Sequence, residues 1–109
     1  MWELNQSIIF VRELQQVIKQ AGWSVCLHGS VLYAGSSTKD LDLLVFPHCM
    51  IDADVNKLFA TLESFGMKRT ITREQVLDGW RKLGSIDVKW VEVWEYENKR
   101  VDLFVWNSQ

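Results

Sequence analysis

His28-Gly29-Ser30-Val31-Leu32-Tyr33-Ala34-Gly35-Ser36-Ser37-Thr38-Lys39-Asp40-Leu41-Asp42-Leu43-Leu44-Val45-Phe46 joins a Gly-Ser turn to two aspartates one residue apart in an apolar run. Alternate residues of a strand project to one side, so Asp40 and Asp42 share a face. Two carboxylates held side by side repel each other unless a cation sits between them. A hard divalent metal with oxygen ligands is the natural one. The Gly29-Ser30 turn just upstream offers backbone N–H groups to a phosphate. A metal beside a phosphate cradle points to chemistry on a nucleotide.

Working outward, Leu41 to Phe46 reads as a buried central strand that Pro47 ends. Trp23 to Leu27 is a short apolar strand running into the turn. Ser30 to Ala34 begins a short helix, and Gly35-Ser36-Ser37-Thr38 has the composition of a loop. Upstream, Leu4, Ile8, Val11, Leu14 and Ile18 recur at spacings of three and four, which predicts an amphipathic helix ending near Gly22. Downstream, Asp52 and Asp54 are candidate N-caps of a second helix. Its inner face is Val55, Leu58, Phe59, Leu62 and Phe65, with Gly66 as C′. Thr72-Arg73-Glu74-Gln75 fits a capping box for a short third helix, although Gly79 and Gly84 are poor helix formers close behind it. Val88 to Tyr96 and Arg100 to Trp106 read as an antiparallel hairpin around Glu97-Asn98-Lys99.

The last of these strands carries a third carboxylate. Val101, Leu103 and Val105 share one face; Asp102, Phe104 and Trp106 share the other. A charge inside such a strand is costly unless it is paired, hydrated or metal-bound. If this strand lies beside Leu41–Phe46, Asp40, Asp42 and Asp102 converge. Three carboxylates can hold two divalent ions about 3.5–4 Å apart, the spacing used for in-line phosphoryl displacement.

The chain's 109 residues suit one domain, read as 1–109. With 48% hydrophobic residues it is not disordered, and a net charge of −2 argues against a broad electrostatic footprint for nucleic acid. Cys26 and Cys49 are too few for a zinc site or a disulfide framework and read as free thiols in a reducing compartment. No basic n-region precedes an apolar run, and no segment approaches the roughly 18 apolar residues of a membrane span. The expected location is cytoplasmic, with no membrane partner.

Gly29-Ser30, nine residues, Asp40-Leu41-Asp42, and a distant Val101-Asp102-Leu103 together resemble the nucleotidyltransferase superfamily that includes DNA polymerase beta, in its minimal branch. The resemblance follows the element order along nearly the whole chain, but about six positions carry it. It implies an α/β (α+β) single-domain fold: a mixed sheet, here of about four strands, with helices packed on one face. It implies transfer of a nucleoside monophosphate from a nucleoside triphosphate such as ATP, with two magnesium ions or with manganese. Asp40 and Asp42 would bind both ions. Asp102 would complete the catalytic-metal site and help deprotonate the acceptor. Gly29 would let the backbone approach the triphosphate, and Ser30 would bond a phosphate oxygen. The acceptor hydroxyl would belong to protein, RNA or a small molecule.

There are departures from that pattern. Many small relatives carry an arginine after the Gly-Ser pair, where this chain has Val31, Leu32, Tyr33 and Ala34. Lys39 is the nearest cation. Lys68, Arg69, Arg73, Arg81 and Lys82 would supply the charge from elsewhere. The chain is also expected to lack the second domain that cradles the base in larger relatives, so either the base is weakly recognised or a partner subunit or homodimer completes the pocket.

Simpler readings stand beside these. Asp40 and Asp42 would be solvated acids at a loop edge, and Asp102 one half of an ion pair with Lys89 or Arg100. His28 would be a buried, hydrogen-bonded histidine in place of a base, and His48 a surface residue. Lys68, Arg69 and Arg73 would form a solvated face. Of Trp90, Trp94, Tyr96, Phe104 and Trp106, most belong in a core, and Trp106 is the best candidate to stack on a base. Two functional alternatives remain: a toxin–antitoxin-type regulatory partner, and a catalytically degenerate protein that binds nucleotide without turnover.

Overall fold

The structure is a computed structural model, and it describes residues 1–47, 54–71 and 89–106. The elements run β1 (Trp2–Glu3), α1 (Leu4–Ile18), β2 (Trp23–His28), α2 (Ser30–Ala34), β3 (Ser36–Ser37), β4 (Asp40–Pro47), α3 (Val55–Ser64), β5 (Lys68–Ile71), β6 (Lys89–Tyr96) and β7 (Lys99–Trp106). Five strands form a mixed sheet in the order β2-β4-β7-β6-β5. Among the described residues, only the β4–β7 pair is parallel. The sheet therefore has one strand more than the four expected. The addition is β5, whose Lys68-Arg69-Thr70-Ile71 carries too little apolar alternation to read as a strand. Among the described residues it sits at the edge, paired to β6.

Alternation along the central strands separates the two faces. Leu41, Leu43 and Val45 of β4, with Val101, Leu103 and Val105 of β7, are fully buried against α1 and α3. That burial is the main apolar contribution to stability. Asp40, Asp42, Leu44 and Phe46 of β4 project to the other face, as do Arg100, Asp102, Phe104 and Trp106 of β7. Trp94 is fully buried on the helix side, and Tyr96 packs on Phe10 and Phe65 at ring distances of 4.8 and 5.5 Å. Trp94 is a core residue, and Tyr96 is a partly buried one packed against the core.

The helix α1 forms where its spacing predicts, but its buried stripe is Ser7, Phe10, Leu14 and Ile18, and Ile8 is exposed. Phe10 sets that rotation by inserting between Trp2, at 5.2 Å, and Tyr96. After a short 3₁₀ turn the helix stops at Gly22, whose φ of 88° reverses the chain. In α3, Asp54 is the N-cap and its carboxylate accepts from the Asn56 N–H at 2.8 Å. Leu58, Phe59 and Leu62 are buried as predicted.

Two local expectations change. Ser36-Ser37 is not plain loop; it pairs antiparallel with Trp2–Glu3. The hairpin turn contains two residues, Glu97 and Asn98, at φ 50° and 64°, and Lys99 already pairs with Tyr96. Two consecutive left-handed residues are the geometry that matches the twist of a tight hairpin. Asp52, His48, Cys49, the capping box at Thr72–Gln75, Arg81 and Lys82 lie outside the described residues. Among the described residues, no helix is long and apolar enough to cross a membrane.

Candidate functional site

The parallel pairing of β4 with β7 puts Asp40 opposite Arg100 and Asp42 opposite Asp102. Since all four stand at the same parity of their strands, they rise from one face, the face without α1 and α3. Ligand oxygens of Asp40, Asp42 and Asp102 lie within 4.8 Å of one another. Asp102 is nearly buried, and the other two are half-buried.

Electrostatics reflect this crowding. Burial pushes the Asp40 carboxyl above its ordinary range; a hydrogen bond with Asp102 and the charges of Asp42 and Asp102 push the same way. Asp42 is also raised, first by burial and then by Asp102. His28, Arg100 and the Ser30 backbone N–H work against that rise. Three carboxylates this close together form a site short of positive charge. Their donor set is hard oxygen, which fits magnesium or manganese better than a soft metal.

Neighbouring segments fix the geometry. Ser37 Oγ accepts from the Asp40 and Lys39 N–H groups at 3.2 and 3.3 Å, which anchors the start of β4. Trp2 Nε1 donates to the Arg100 carbonyl at 2.9 Å, which anchors the start of β7. Gly29 closes the site from the β2 side. Its φ is 78°, and a Cβ there would collide with the Asp42 carboxylate oxygen and come within 2.8 Å of Asp42 Cβ and Cγ. Glycine is thus required by conformation and by space together. Ser30 comes next, at the start of α2, and is exposed. Lys39 is exposed immediately before Asp40.

Arg100 is the residue that sequence reading undervalued, taking it only as one ion-pair partner for Asp102. Its Nε donates to Asp102 Oδ1 at 2.7 Å and its Nη2 to Oδ2 at 3.4 Å. The pair and the acidic cluster coexist, so the two readings of Asp102 were not exclusive. The signal was present in Arg100-Val101-Asp102: an arginine two residues before an aspartate shares its face.

Other candidates fall elsewhere. His28 is opposite Asp42 in the β2–β4 register, and its ring meets Phe104 edge-on at 4.8 Å. It is half-buried, and its Nε2 is buried with no hydrogen-bond partner among the described residues, contrary to the expectation of a satisfied histidine. Arg69 is not free to reach the acids. It pairs with buried Glu92 at 3.0 Å and lies over the rings of Phe59 and Trp94, on the helix side of the sheet. Trp106 is 43% exposed on the acidic face. Cys26 is an exposed free thiol.

No protein-family model matches the chain, and no curated protein matches it by sequence. Solved structures do share its fold. One is a cytoplasmic RNA terminal U-transferase, with a TM-score of 0.61 and 13% identity over 94% of this chain and 28% of that one. Another is Cid1 as an RNA terminal uridylyl transferase, with a TM-score of 0.62 and 12% identity over 94% of this chain and 31% of that one. A third is the Cid1 poly(U) polymerase bound to MgGTP, with a TM-score of 0.61 and 12% identity over 94% of this chain and 32% of that one. These neighbours are nucleotidyltransferases of the polymerase-beta-like superfamily, so the fold expected from the sequence is the fold found. At this identity the likeness is one of fold, and the chain spans no more than 32% of their length.

Proposed function

We propose that this chain, built on the nucleotidyltransferase fold, is a metal-dependent enzyme that transfers a nucleoside monophosphate from a nucleoside triphosphate to a hydroxyl acceptor. The convergence of Asp40, Asp42 and Asp102 on one sheet face carries the reading. Asp40 and Asp42 from β4 and Asp102 from β7 would hold two magnesium ions, or manganese. Ions bound there supply charge neutralisation at the entering hydroxyl and at the departing pyrophosphate.

The protein's own residues do the rest. The acceptor oxygen bonds to the α-phosphorus while the bond from that phosphorus to the bridging oxygen breaks, and pyrophosphate leaves. Asp102, the most buried of the three acids, takes the acceptor's proton. Gly29 keeps the β2–α2 turn close to Asp42, where the Ser30 hydroxyl bonds a phosphate oxygen. Lys39 adds positive charge at the rim. The fold neighbours act at RNA termini or make poly(U), so RNA is the first acceptor to test, before protein and small-molecule hydroxyls.

The neighbours are much longer than the shared fold, which favours a second reading of the base pocket alone. In it, a partner subunit, a second copy or a toxin–antitoxin-type partner supplies the pocket. A partner that still co-purifies with the Asp40→Ala, Asp42→Ala double variant supports this, and loss of the partner opposes it.

The test of the main reading is incubation with each α-labelled triphosphate, magnesium or manganese, and the three acceptor classes. Labelled acceptor is expected from the native chain and not from Asp42→Asn. No transfer to any class, together with no metal-dependent triphosphate binding, would overturn it.

A further inference from the structure

We infer that Arg100 is the resident counter-ion of the acidic cluster, which leaves Asp102 when divalent cations enter and then binds the triphosphate. The inference rests on the metal-dependent reading above and assigns that site an internal exchange. Arg100 grips both oxygens of Asp102, at 2.7 and 3.4 Å. Its backbone is opposite Asp40, and Asp42 is opposite Asp102 in the same register. One guanidinium therefore stands within the cluster and is bonded to its most buried member.

Such a contact is built to be exchanged. The Arg100 side chain is 53% exposed against 13% for Asp102, so the arginine swings into solvent at small cost while the aspartate stays. The root of the swing is held, because Trp2 Nε1 bonds the Arg100 carbonyl at 2.9 Å. A cation bound by Asp102 needs the lone pairs that now accept from Arg100, and it repels the guanidinium as well. Once displaced, Arg100 remains rooted at the edge of the cluster. A planar fork of N–H donors matches phosphate oxygens, and the incoming triphosphate is the anion that arrives there. Val31, Leu32, Tyr33 and Ala34 carry no charge, and Arg69 is engaged with Glu92, so Arg100 shares the phosphates with Lys39 at the rim.

This exchange predicts effects of opposite sign. Mn²⁺ affinity, and the affinity for a non-hydrolysable triphosphate at saturating Mn²⁺, are measured calorimetrically on the full chain and on Arg100→Ala and Arg100→Lys. Arg100→Ala is expected to bind Mn²⁺ about threefold to tenfold tighter, because a competing cation is gone. It is expected to bind the triphosphate about tenfold weaker. Arg100→Lys recovers part of both changes. A misfolded variant would weaken both affinities, so the crossed pattern is not an effect of stability. Unchanged or weaker Mn²⁺ binding in Arg100→Ala, or unchanged triphosphate binding, overturns the exchange while leaving the metal site intact. A native chain that binds no Mn²⁺ overturns the metal-dependent reading itself, and the exchange with it.

Discussion

The carboxylate of Asp42 occupies the space that a side chain on Gly29 would need. The turn after β2 and the acidic strand β4 are therefore fitted to each other through an absent methyl group. Gly29→Ala adds a left-handed strain at φ 78° to that collision. The expected cost is about 1–3 kcal/mol of stability and on the order of a hundredfold in transfer rate, as Asp42 is displaced. Thermal melts and single-turnover assays on the variant check both.

Asp42→Asn separates function from stability. Losing the charge should reduce transfer by about 10²–10⁴ or more. In chelator it should raise Tm by about 2–4 °C, because the native cluster is crowded with like charge. Added Mn²⁺ should then stabilise the native chain more than the variant, which melts in chelator and in Mn²⁺ would show.

The same cluster sets a pH dependence. Burial and neighbouring acids raise Asp40 and Asp42 in the folded state, so unfolded chains release these protons first as pH rises. Metal-free stability from these groups therefore falls as pH climbs from the ordinary carboxyl range, about 4, through the raised folded values. The Tm advantage of Asp42→Asn should be present at pH 7 and vanish below about pH 4. A constant advantage across that range would rule out the ionisation as its cause.

Arg69 serves the helix side of the sheet, where its partner Glu92 is buried. Its removal leaves Glu92 without this cation, in a position fully buried beside Trp94. Arg69→Ala should cost about 3 kcal/mol in denaturant unfolding. Triphosphate affinity per folded molecule should stay unchanged, as it should for Lys68→Ala at the exposed sheet edge.

Local periodicity made much of this molecule legible. Alternation exposed the shared face of Asp40 and Asp42, and of Asp102 with Phe104 and Trp106, while helical spacing placed α1 and α3. The register of β4 on β7 has no local signature, since strands so distant in sequence pair through tertiary packing. The meeting of Asp42 with Asp102 was therefore conditional on that pairing. β5 was missed because a polar edge strand carries little alternation. The β1–β3 pair was missed because two serines read as loop, although Ser37 goes on to anchor Asp40. The rotation of α1 is set by Phe10, whose aromatic partners Trp2 and Tyr96 stand far apart in the chain.

The most direct measurement is anomalous diffraction from crystals of the chain grown with Mn²⁺ and a non-hydrolysable triphosphate. Manganese peaks bounded by carboxylates of Asp40, Asp42 and Asp102, beneath the polyphosphate, are the expected result. Manganese elsewhere, or Asp102 still held by Arg100 and turned away from a metal shared by Asp40 and Asp42, would contradict it.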